Sequence, residues 1–257
     1  MSSNYTFRTE PWMTECQDPT HALVRKLETR DRLTAEEREA LKALMEPVKV
    51  VHAGQMLVHP GDRPTSSTLL IGGFCARFNL LNDGSRSFTQ ISVAGDFIDL
   101  HSLLMAQMDH GIVALTGCSI SKSPHDRLRA ITNQHPHLAR MLWLDTAIDA
   151  AIHRQWLHRM GTQDAVGRLA HLICETEARL AAVGLAGPDG FDFPLTQIDL
   201  ADCLGMSAVH VNRTLMTLRR ARLVEWHGGR VRIVDHRQLF ALAEFDPVYL
   251  RLERSPV

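Results

Sequence analysis

The segment LTQIDLADCLGMSAVHVNRTLMTLRR, residues 195–220, decides the fold because two predicted helices meet in it at a very short joint. Thr196 is expected to cap the first helix, and the acidic residue three positions later completes a capping box. Gly205 supplies the turn, and Ser207 caps the second helix. The small Ala201 stands where the second helix must cross closely. This order favours a helix-turn-helix over the alternative, a plain pair of packed helices.

The second helix has two faces of different chemistry when its residues are placed about 100° apart. Its predicted core face consists of Val211, Thr214, Leu215 and Leu218. The opposite face carries Val209, Arg213, Met216 and Arg220, flanked by His210, Asn212 and Thr217. Apolar side chains beside arginine suit the major groove of DNA, where they meet thymine methyl groups while arginine pairs with guanine. The pattern therefore predicts a recognition helix with phosphate binding at its N-terminus.

A predicted hairpin, LVEWHGGRVRIV at residues 223–234, follows this helix and turns at Gly228 and Gly229. It is interpreted as a wing over the DNA backbone, and ordinary exposed strand charge is the alternative for its arginines. Between residues 205 and 234 six arginines stand against one acid, Glu225, although the whole chain has a formal net charge of −1. The predicted DNA-contacting residues are Thr196, Gln197, Ser207, Val209, His210, Asn212, Arg213, Met216, Thr217, Arg220 and Arg230.

Short strands are predicted from residue 47 to residue 124, where apolar and β-branched runs alternate with turn signals. Asn82-Asp83-Gly84 lies between two alternating runs and is typical of a hairpin. Residues 111–124 are expected to form a final strand pair. Many short strands at this spacing indicate a small antiparallel barrel or sandwich. A capping box ahead of the barrel predicts a helix over residues 34–46.

A long helix is predicted from Pro136 to about Met160, because its interior holds no glycine or proline and proline suits a first turn. Its length would be roughly 36 Å. It is apolar nearly all round and must be buried on more than one side. One side can lie on the barrel, and a second copy of the helix is the simplest partner for the other. A central helix of a larger monomeric core is the alternative. A further helix is expected to begin at Thr162. The predicted dimer contacts are Leu138, Met141, Leu142, Asp145, Ile148 and Ile152.

Composition restricts the class and the compartment. The chain has 257 residues, which is enough for two modest domains. Its five cysteines lie far apart without a CxxC pair, and the odd count argues against a disulfide framework, which favours a reducing, cytoplasmic compartment. Residues 1–20 are interpreted as a flexible leader because they lack the apolar segment of a signal peptide. No apolar run approaches the roughly 20 residues of a membrane span, so no membrane association is expected.

This order of elements resembles the cAMP receptor protein/FNR (CRP/FNR) family of bacterial transcription regulators over nearly the whole chain after the leader. The most specific matches are residues 195–220 and the barrel piece SVAGDFIDL, residues 92–100. The resemblance implies an α+β fold: a cyclic-nucleotide-binding-like β-roll over residues 21–135, a dimerisation helix over residues 136–160 and a winged helix-turn-helix over residues 161–257. It also implies a homodimer on palindromic double-stranded DNA, with RNA polymerase as a further partner.

The resemblance also assigns roles in the recognition helix. Arg213 matches the arginine that reads guanine in the family, and Asn212 stands before it where serine or glycine is common. Many members carry a glutamate near the start of this helix that contacts a base edge. Val209 stands there and cannot accept a hydrogen bond, so we expect a half-site different from those best known for the family.

The β-roll departs from members that bind cyclic AMP. Those members carry a glutamate near the position of Leu100 and an Arg-Ser pair where this chain has residues 108–111. Between residues 78 and 119 the one arginine is Arg86, so a cyclic phosphate would lack a cation and cyclic AMP binding in the family manner is not expected. Oxygen-sensing members hold an iron–sulfur cluster on cysteines mostly near the N-terminus. An iron–sulfur cluster is rejected here because Cys16 stands alone in that region.

A signal-binding pocket is expected around one strand-loop-strand of the β-roll. Its histidines, with Cys75 as a further candidate ligand, leave a haem or metal site open, but polar surface histidines and a buried free cysteine are the favoured interpretation and no metal ligand is assigned. The candidate pocket residues are Asp99, Leu100, His101, Ser102 and His110.

The function predicted from these patterns is sequence-specific DNA binding by a homodimeric transcription regulator, controlled by an unidentified signal at the β-roll. The alternative is a ligand, haem or metal sensor whose DNA-binding domain is secondary. An enzyme built on the acidic and histidine side chains of the pocket is not expected. The chain shows no nucleophile elbow, phosphate loop or HExxH motif, and no catalytic residue is assigned.

Overall fold

The computed structural model describes residues 18–105 and 107–255. Of the predicted leader, residues 1–17 lie outside the described residues. The next residues are already part of the fold, because Thr20 is fully buried and its carbonyl accepts a hydrogen bond from the Val24 N–H at 2.8 Å. The first helix, α1 (His21–Glu28), was not predicted. No side chain caps its N-terminus, so it lacks the sequence signal that marks the next helix.

The helix α2 (Ala35–Leu44) begins with the predicted capping box. The Thr34 hydroxyl accepts from the Glu37 N–H at 3.1 Å, and the Glu37 carboxylate accepts from the Thr34 N–H at 2.8 Å. Leucines of both helices are buried against the barrel and the long helix in one core cluster. The two helices therefore belong to the folded domain and close one side of the barrel.

The predicted strands form two antiparallel sheets. In the described residues one sheet has the order β1-β7-β3 and the other the order β2-β6-β4-β5. The turn at Gly84, whose φ is +81°, connects β4 to β5 as expected for a hairpin. The strands are β1 (Lys49–Val51), β2 (Met56–Val58), β3 (Ser66–Gly72), β4 (Cys75–Leu80), β5 (Arg86–Ser92), β6 (Gly111–Ala114) and β7 (Cys118–Pro124), with a 3₁₀ helix (Leu100–Leu103) between β5 and β6.

The expected final strand pair is only half right. Both strands exist, but β6 pairs with β2 and β4 whereas β7 pairs with β1 and β3. The connection at residues 115–117 crosses from one sheet to the other instead of making a hairpin. A sequence pattern of two apolar runs around a glycine does not distinguish these outcomes, because both give the same alternation.

Three helices follow, α3 (His125–Gln134), α4 (Pro136–Thr162) and α5 (Ala165–Ala182). The long helix α4 has 27 residues and ends two residues beyond the predicted Met160, because Gly161 stays helical. The prediction that the next helix begins at Thr162 is wrong. The start is set by Asp164, whose carboxylate accepts a hydrogen bond from the Gly167 N–H at 2.8 Å.

The C-terminal part contains the predicted helix pair and hairpin. Two short strands at residues 186–192 add to the hairpin and give the sheet order β10-β11-β9-β8. Gly190, with φ +87°, allows this close approach because a side chain there would collide with the backbone of Val231. The elements are β8 (Ala186–Gly187), β9 (Gly190–Asp192), α6 (Gln197–Leu204), α7 (Ala208–Arg220), β10 (Val224–His227), β11 (Arg230–Ile233), α8 (His236–Ala243) and a 3₁₀ helix (Pro247–Leu250).

One apolar core joins the β-roll to the C-terminal part. Phe74 and Phe78 of the β-roll belong to the same buried cluster as Ile148 of α4 and Leu215 of α7. The Phe74 ring meets the Phe193 ring edge to face, with centroids 5.3 Å apart. The recognition helix is therefore packed onto a body that is continuous with the barrel. No helix in the described part of the chain is long and apolar enough to cross a membrane.

Candidate DNA-binding surface and signal-binding cleft

The joint of the helix pair has the geometry that its sequence predicts. The Thr196 hydroxyl accepts from the Asp199 N–H at 3.1 Å, and the Asp199 carboxylate accepts from the Thr196 N–H at 2.9 Å. Gly205 adopts a left-handed conformation with φ +60°, and the Ser207 hydroxyl accepts from the His210 N–H at 3.2 Å. Any side chain at residue 205 would meet the Met160 side chain of α4, so this turn is seated directly on the long helix.

The predicted division of α7 into two faces is confirmed. Val211, Thr214, Leu215 and Leu218 are buried, and Val209 is 71% exposed. An exposed apolar side chain beside an arginine suits the major groove of DNA, where it can contact thymine methyl groups. The exposed face consists of Val209, His210, Asn212, Arg213, Met216, Thr217 and Arg220, and the predicted contacts Thr196, Gln197 and Ser207 at the joint are exposed as well.

The arginines around this face fall into two groups. Arg213, Arg220 and Arg222 are exposed at the surface. Arg219 instead donates to the carbonyl oxygen of Trp226 and holds the hairpin against α7. Fewer arginines therefore face outward around α7 than the number of arginines in residues 205–234 suggests.

The wing hairpin carries its arginines on the exposed side, as predicted, but both are paired. The Arg230 guanidinium lies 2.8 Å from the Asp192 carboxylate, and the Arg232 guanidinium lies 2.9 Å from the Glu225 carboxylate. Arg230 stays a predicted DNA contact, but its guanidinium is held by a carboxylate of its own chain. Its partner comes from β9, a strand that the sequence did not reveal. A phosphate would have to compete with this exposed ion pair.

The residues predicted for dimer contacts on α4 face the interior of their own chain. Among them, Asp145 receives ion pairs from Lys26 and Arg30 at 2.9 and 2.8 Å. The correction applies to all six, because each is buried by the β-roll, α1 or the C-terminal part: Leu138, Met141, Leu142, Asp145, Ile148 and Ile152. The stripe left exposed repeats at intervals of four and three residues, as a helix–helix seam does, and consists of Trp143, Ala147, Ala150, Arg154 and Leu157. Trp143 and Leu157 are each 76% exposed.

The candidate pocket residues do not converge on one site. Asp99 is buried in the β-roll, where its carboxylate accepts from the Thr68 N–H and from the Thr68 hydroxyl. Burial raises the pKa of Asp99 to about 6, although its bonds with Thr68 oppose the shift. Ser102 and His125 are hydrogen-bonded to each other at 3.2 Å. Asp99 is therefore bonded to β3 and Ser102 to α3, and neither lines the cleft described below.

His101 and His110 do meet, with ring centroids 5.1 Å apart. Asp109 bonds Nδ1 of His110 at 2.7 Å, and the Nε2 atoms of both rings are buried without a hydrogen-bond partner. Burial lowers the pKa of His101 to about 4, and the positive charge of Arg77 acts in the same direction. Within the described ranges no three histidine, cysteine or acidic side chains are placed to hold one metal ion.

A cleft that is open to solvent separates the β-roll from α4 and reaches α5. Leu100 and His101 line it, beside charged side chains that come from distant parts of the chain. Asp96 is bonded to Lys26 at 3.0 Å and to Arg179 at 2.6 Å. Burial alone would raise the pKa of Asp96, but these two cations hold it well below its usual range.

Arg77 is one of the charged cleft residues that the sequence did not reveal. It is 3% exposed and donates to the Ile98 carbonyl oxygen at 2.8 Å and to the Gln90 side chain at 2.8 Å, and it forms an ion pair with Asp149 of α4. It directly precedes residues 78–119, in which Arg86 is the one arginine. A charged residue within the apolar run of β4 was the available signal, because buried charges are retained only with partners.

These features define a class of protein: a DNA-binding transcription regulator with an exposed recognition helix packed onto a β-roll domain. Residues 48–135 match the cyclic nucleotide-binding domain family, and residues 167–242 match the Crp-like helix-turn-helix domain family. The chain belongs to the CRP/FNR family of transcription regulators.

Individual relatives are similar at moderate identity. The transcriptional activator protein FnrL of Cereibacter sphaeroides is 27% identical over 188 residues, which cover 71% of this chain and 74% of that protein. The nitrogen fixation regulation protein FixK of Bradyrhizobium diazoefficiens is 25% identical over 192 residues, covering 74% and 79%. The solved structure of FixK2 from Bradyrhizobium japonicum shares the fold with a TM-score of 0.69 at 19% identity, covering 76% of this chain and 96% of that one.

Proposed function

We propose that the protein binds palindromic promoter DNA as a homodimer, with one α7 helix in each of two successive major grooves. The observation that carries this proposal is that one chain exposes two such surfaces. They are the Arg213 face of α7 and the Trp143 stripe of α4. A seam along the long helix would relate the two recognition helices by a twofold axis, and inverted half-sites about one helical turn apart would follow.

RNA polymerase is the further partner that we propose for the DNA-bound dimer. The support is that FnrL of Cereibacter sphaeroides is named a transcriptional activator. An activator must act on the transcription machinery from its DNA site.

Selection of DNA from a random-sequence library by the full-length protein tests the proposal. We expect an inverted repeat with half-sites about 10 base pairs apart, and two chains per duplex by sedimentation. A selected sequence without twofold symmetry, or one chain per duplex, would overturn the proposal.

The dimer seam has its own test. Trp143→Glu places a charge in the middle of the proposed seam, and we expect a monomer in sedimentation equilibrium at concentrations where the unmodified protein is dimeric. Leu104→Glu is the matched control because Leu104 is 89% exposed and follows the 3₁₀ helix of the β-roll instead of belonging to α4. Equal dimerisation of both variants would place the interface elsewhere.

We further propose that a small molecule acts in the cleft beside α4, and that it is not cyclic AMP bound in the family manner. Each of the cleft cations Lys26, Arg30, Arg77 and Arg179 is already bonded to a carboxylate. A cyclic phosphate would have to compete with one of these carboxylates for its cation. Millimolar cyclic AMP should therefore leave the Tm unchanged, and stabilisation by cyclic AMP would contradict this assignment.

A further inference from the structure

Two buried thiols meet where the chain passes between the sheets of the β-roll. The Sγ atoms of Cys75 and Cys118 lie 3.8 Å apart, and both residues are at most 1% exposed. Cys75 begins β4 in one sheet, and Cys118 begins β7 in the other. A disulfide holds its sulfur atoms about 2.05 Å apart, so the two sulfurs need to approach by roughly 1.8 Å.

The surrounding backbone keeps these thiols together. Residues 72–75 and 114–119 run side by side as they cross between the sheets, since Gly72 pairs with Ser119 and Cys75 with Ala114. Gly73 has φ +87°, and a side chain there would lie 2.7 Å from the Cys118 sulfur. The crossing therefore admits the two thiols only because residue 73 is glycine.

The two thiols differ in chemistry. Hydrogen bonds from the Cys75 thiol and from the Thr116 hydroxyl lower the pKa of Cys118, whereas the same contact and burial raise the pKa of Cys75. The thiolate is the reactive form of cysteine. This difference favours Cys118 as the first thiol to react, and Cys75 lies 3.8 Å away, where it can resolve the product.

We propose that Cys75 and Cys118 are a modification site at which a hydroperoxide forms a reversible intrachain disulfide. In the first step the Cys118 sulfur attacks a peroxide oxygen, the O–O bond breaks, and Cys118 sulfenic acid and water form. In the second step the Cys75 sulfur attacks the Cys118 sulfur, and the hydroxyl leaves as water. In total two thiols and one hydrogen peroxide give one disulfide and two waters, and an added thiol reverses the change.

The site is connected to the DNA-binding part through Phe74. The Cys118 thiol donates to the Phe74 carbonyl oxygen at 3.3 Å, and the Phe74 ring packs on Phe193. The Phe193 N–H donates to the carbonyl oxygen of Gly229 in the wing turn at 2.6 Å. Disulfide formation removes the thiol that donates to Phe74 and moves the backbone where the chain passes between the two sheets. Because the Phe74 ring packs on Phe193, this movement reaches the wing. This consequence rests on the proposed DNA-binding function, whereas the disulfide itself does not.

The test treats full-length protein with hydrogen peroxide, removes the peroxide with catalase, alkylates free thiols in denaturant and maps the peptides by mass spectrometry. We expect Cys75 and Cys118 peptides to be joined in most molecules and separated by dithiothreitol. The internal controls are Cys174 and Cys203, which are buried cysteines elsewhere in the fold and should remain alkylatable. Peroxide-treated protein in which Cys75 and Cys118 stay alkylatable, or are joined to other cysteines, would overturn the proposal.

The effect on DNA is measured separately with the sequence obtained by library selection. Oxidation should weaken binding by about fivefold or more, and dithiothreitol should restore it. Cys118→Ser and Cys75→Ala should each abolish the response to peroxide, whereas the matched control Cys174→Ser should keep it. The second variant preserves the test if the first does not fold. A mapped disulfide with unchanged DNA affinity would overturn the coupling alone, and reduced protein that binds no DNA would count against the proposed function and not against the disulfide.

Discussion

The recognition helix and the cleft beside α4 both depend on arginine, but they use it in opposite ways. Arg213 of α7 is exposed, whereas Arg77 in the cleft is buried and paired with Asp149. An exposed guanidinium keeps its donors for an external partner, and a buried one must be satisfied inside the fold. Arginine therefore indicates DNA binding where it is exposed on α7, and it indicates assembly of the domains where it is buried in the cleft.

The two regions also differ in how many segments of the chain form them. Residues 195–220 supply the whole helix pair from one continuous segment. The cleft instead joins Lys26 of α1, Asp96 of the β-roll, Asp145 of α4 and Arg179 of α5 through ion pairs. Substitutions in the cleft should therefore alter stability first, and substitutions on α7 should alter DNA binding first.

The largest expected effect is the loss of a buried carboxylate. Asp145→Ala leaves the buried Arg30 without its carboxylate partner at 2.8 Å and removes one of the two carboxylates bonded to Lys26, and it should lower the free energy of unfolding by about 3–5 kcal/mol. Urea unfolding at a fixed protein concentration measures this change.

The matched control for that change is Glu225→Ala, which removes the partner of Arg232 on the exposed wing. It should cost no more than about 1 kcal/mol, because both side chains are roughly half exposed. Equal destabilisation by the two substitutions would show that the cleft network does not hold the domains together.

A smaller free-energy change, but one confined to function, is expected on α7. Arg213→Ala should weaken binding to the selected DNA by about 1–3 kcal/mol per base contact, or roughly fivefold to 150-fold, and relax the preference at one base pair of each half-site. Fluorescence anisotropy with the selected duplex and single-base variants measures both effects. The free energy of unfolding should hardly change, because the side chain is exposed.

Arg127→Ala is the control for Arg213, because Arg127 is an exposed arginine on α3 of the β-roll side. It removes the same charge from the chain and should leave DNA affinity nearly unchanged at matched salt. If both variants lost affinity equally, the loss would reflect general charge and α7 would not be the reading surface.

The helix pair could be predicted from the sequence because its signals are local. Thr196, Gly205 and Ser207 act on residues within a few positions of themselves, and the buried face of α7 follows from helical periodicity. The inward side of α4 could not be separated from its outward side, because the helix is apolar nearly all round. Only the packing of α1 and the β-roll determines that Asp145 is buried and Trp143 exposed.

The cleft was the least predictable part, because it too is formed by packing between distant parts of the chain. Its ion pairs join residues far apart in the sequence, such as Lys26 with Asp145, and no local pattern specifies such pairs. The sequence placed the two histidines of the candidate pocket close together, but it did not show which of the other candidate residues would join them. His101 and His110 meet as expected, but Asp99 and Ser102 bond to other partners.

The smallest expected effect concerns acid. Burial, with Arg77 acting in the same direction, lowers the pKa of His101 to about 4 in the folded protein, against about 6.5 in an unfolded chain. As the pH falls from about 6.5 to about 4, the unfolded chain therefore binds a proton at this position before the folded chain does. The stability that neutral His101 permits is fully present above pH 6.5 and is lost progressively toward pH 4.

The measurement compares the free energy of unfolding of His101→Gln with that of the unmodified protein at pH 7.5 and pH 5. Relative to His101→Gln, the unmodified protein should lose about 1 kcal/mol at the lower pH, since solvent reaches part of the ring and reduces the effect. Asp99, whose pKa is raised to about 6, changes stability in the opposite sense, but it is present in both proteins and cancels in the difference. A difference that stays constant between the two pH values would mean that His101 accepts its proton as readily in the fold as in the unfolded chain. Water would then reach that ring in the cleft. The cleft would differ less from the exposed face of α7 in solvent access than the packing indicates.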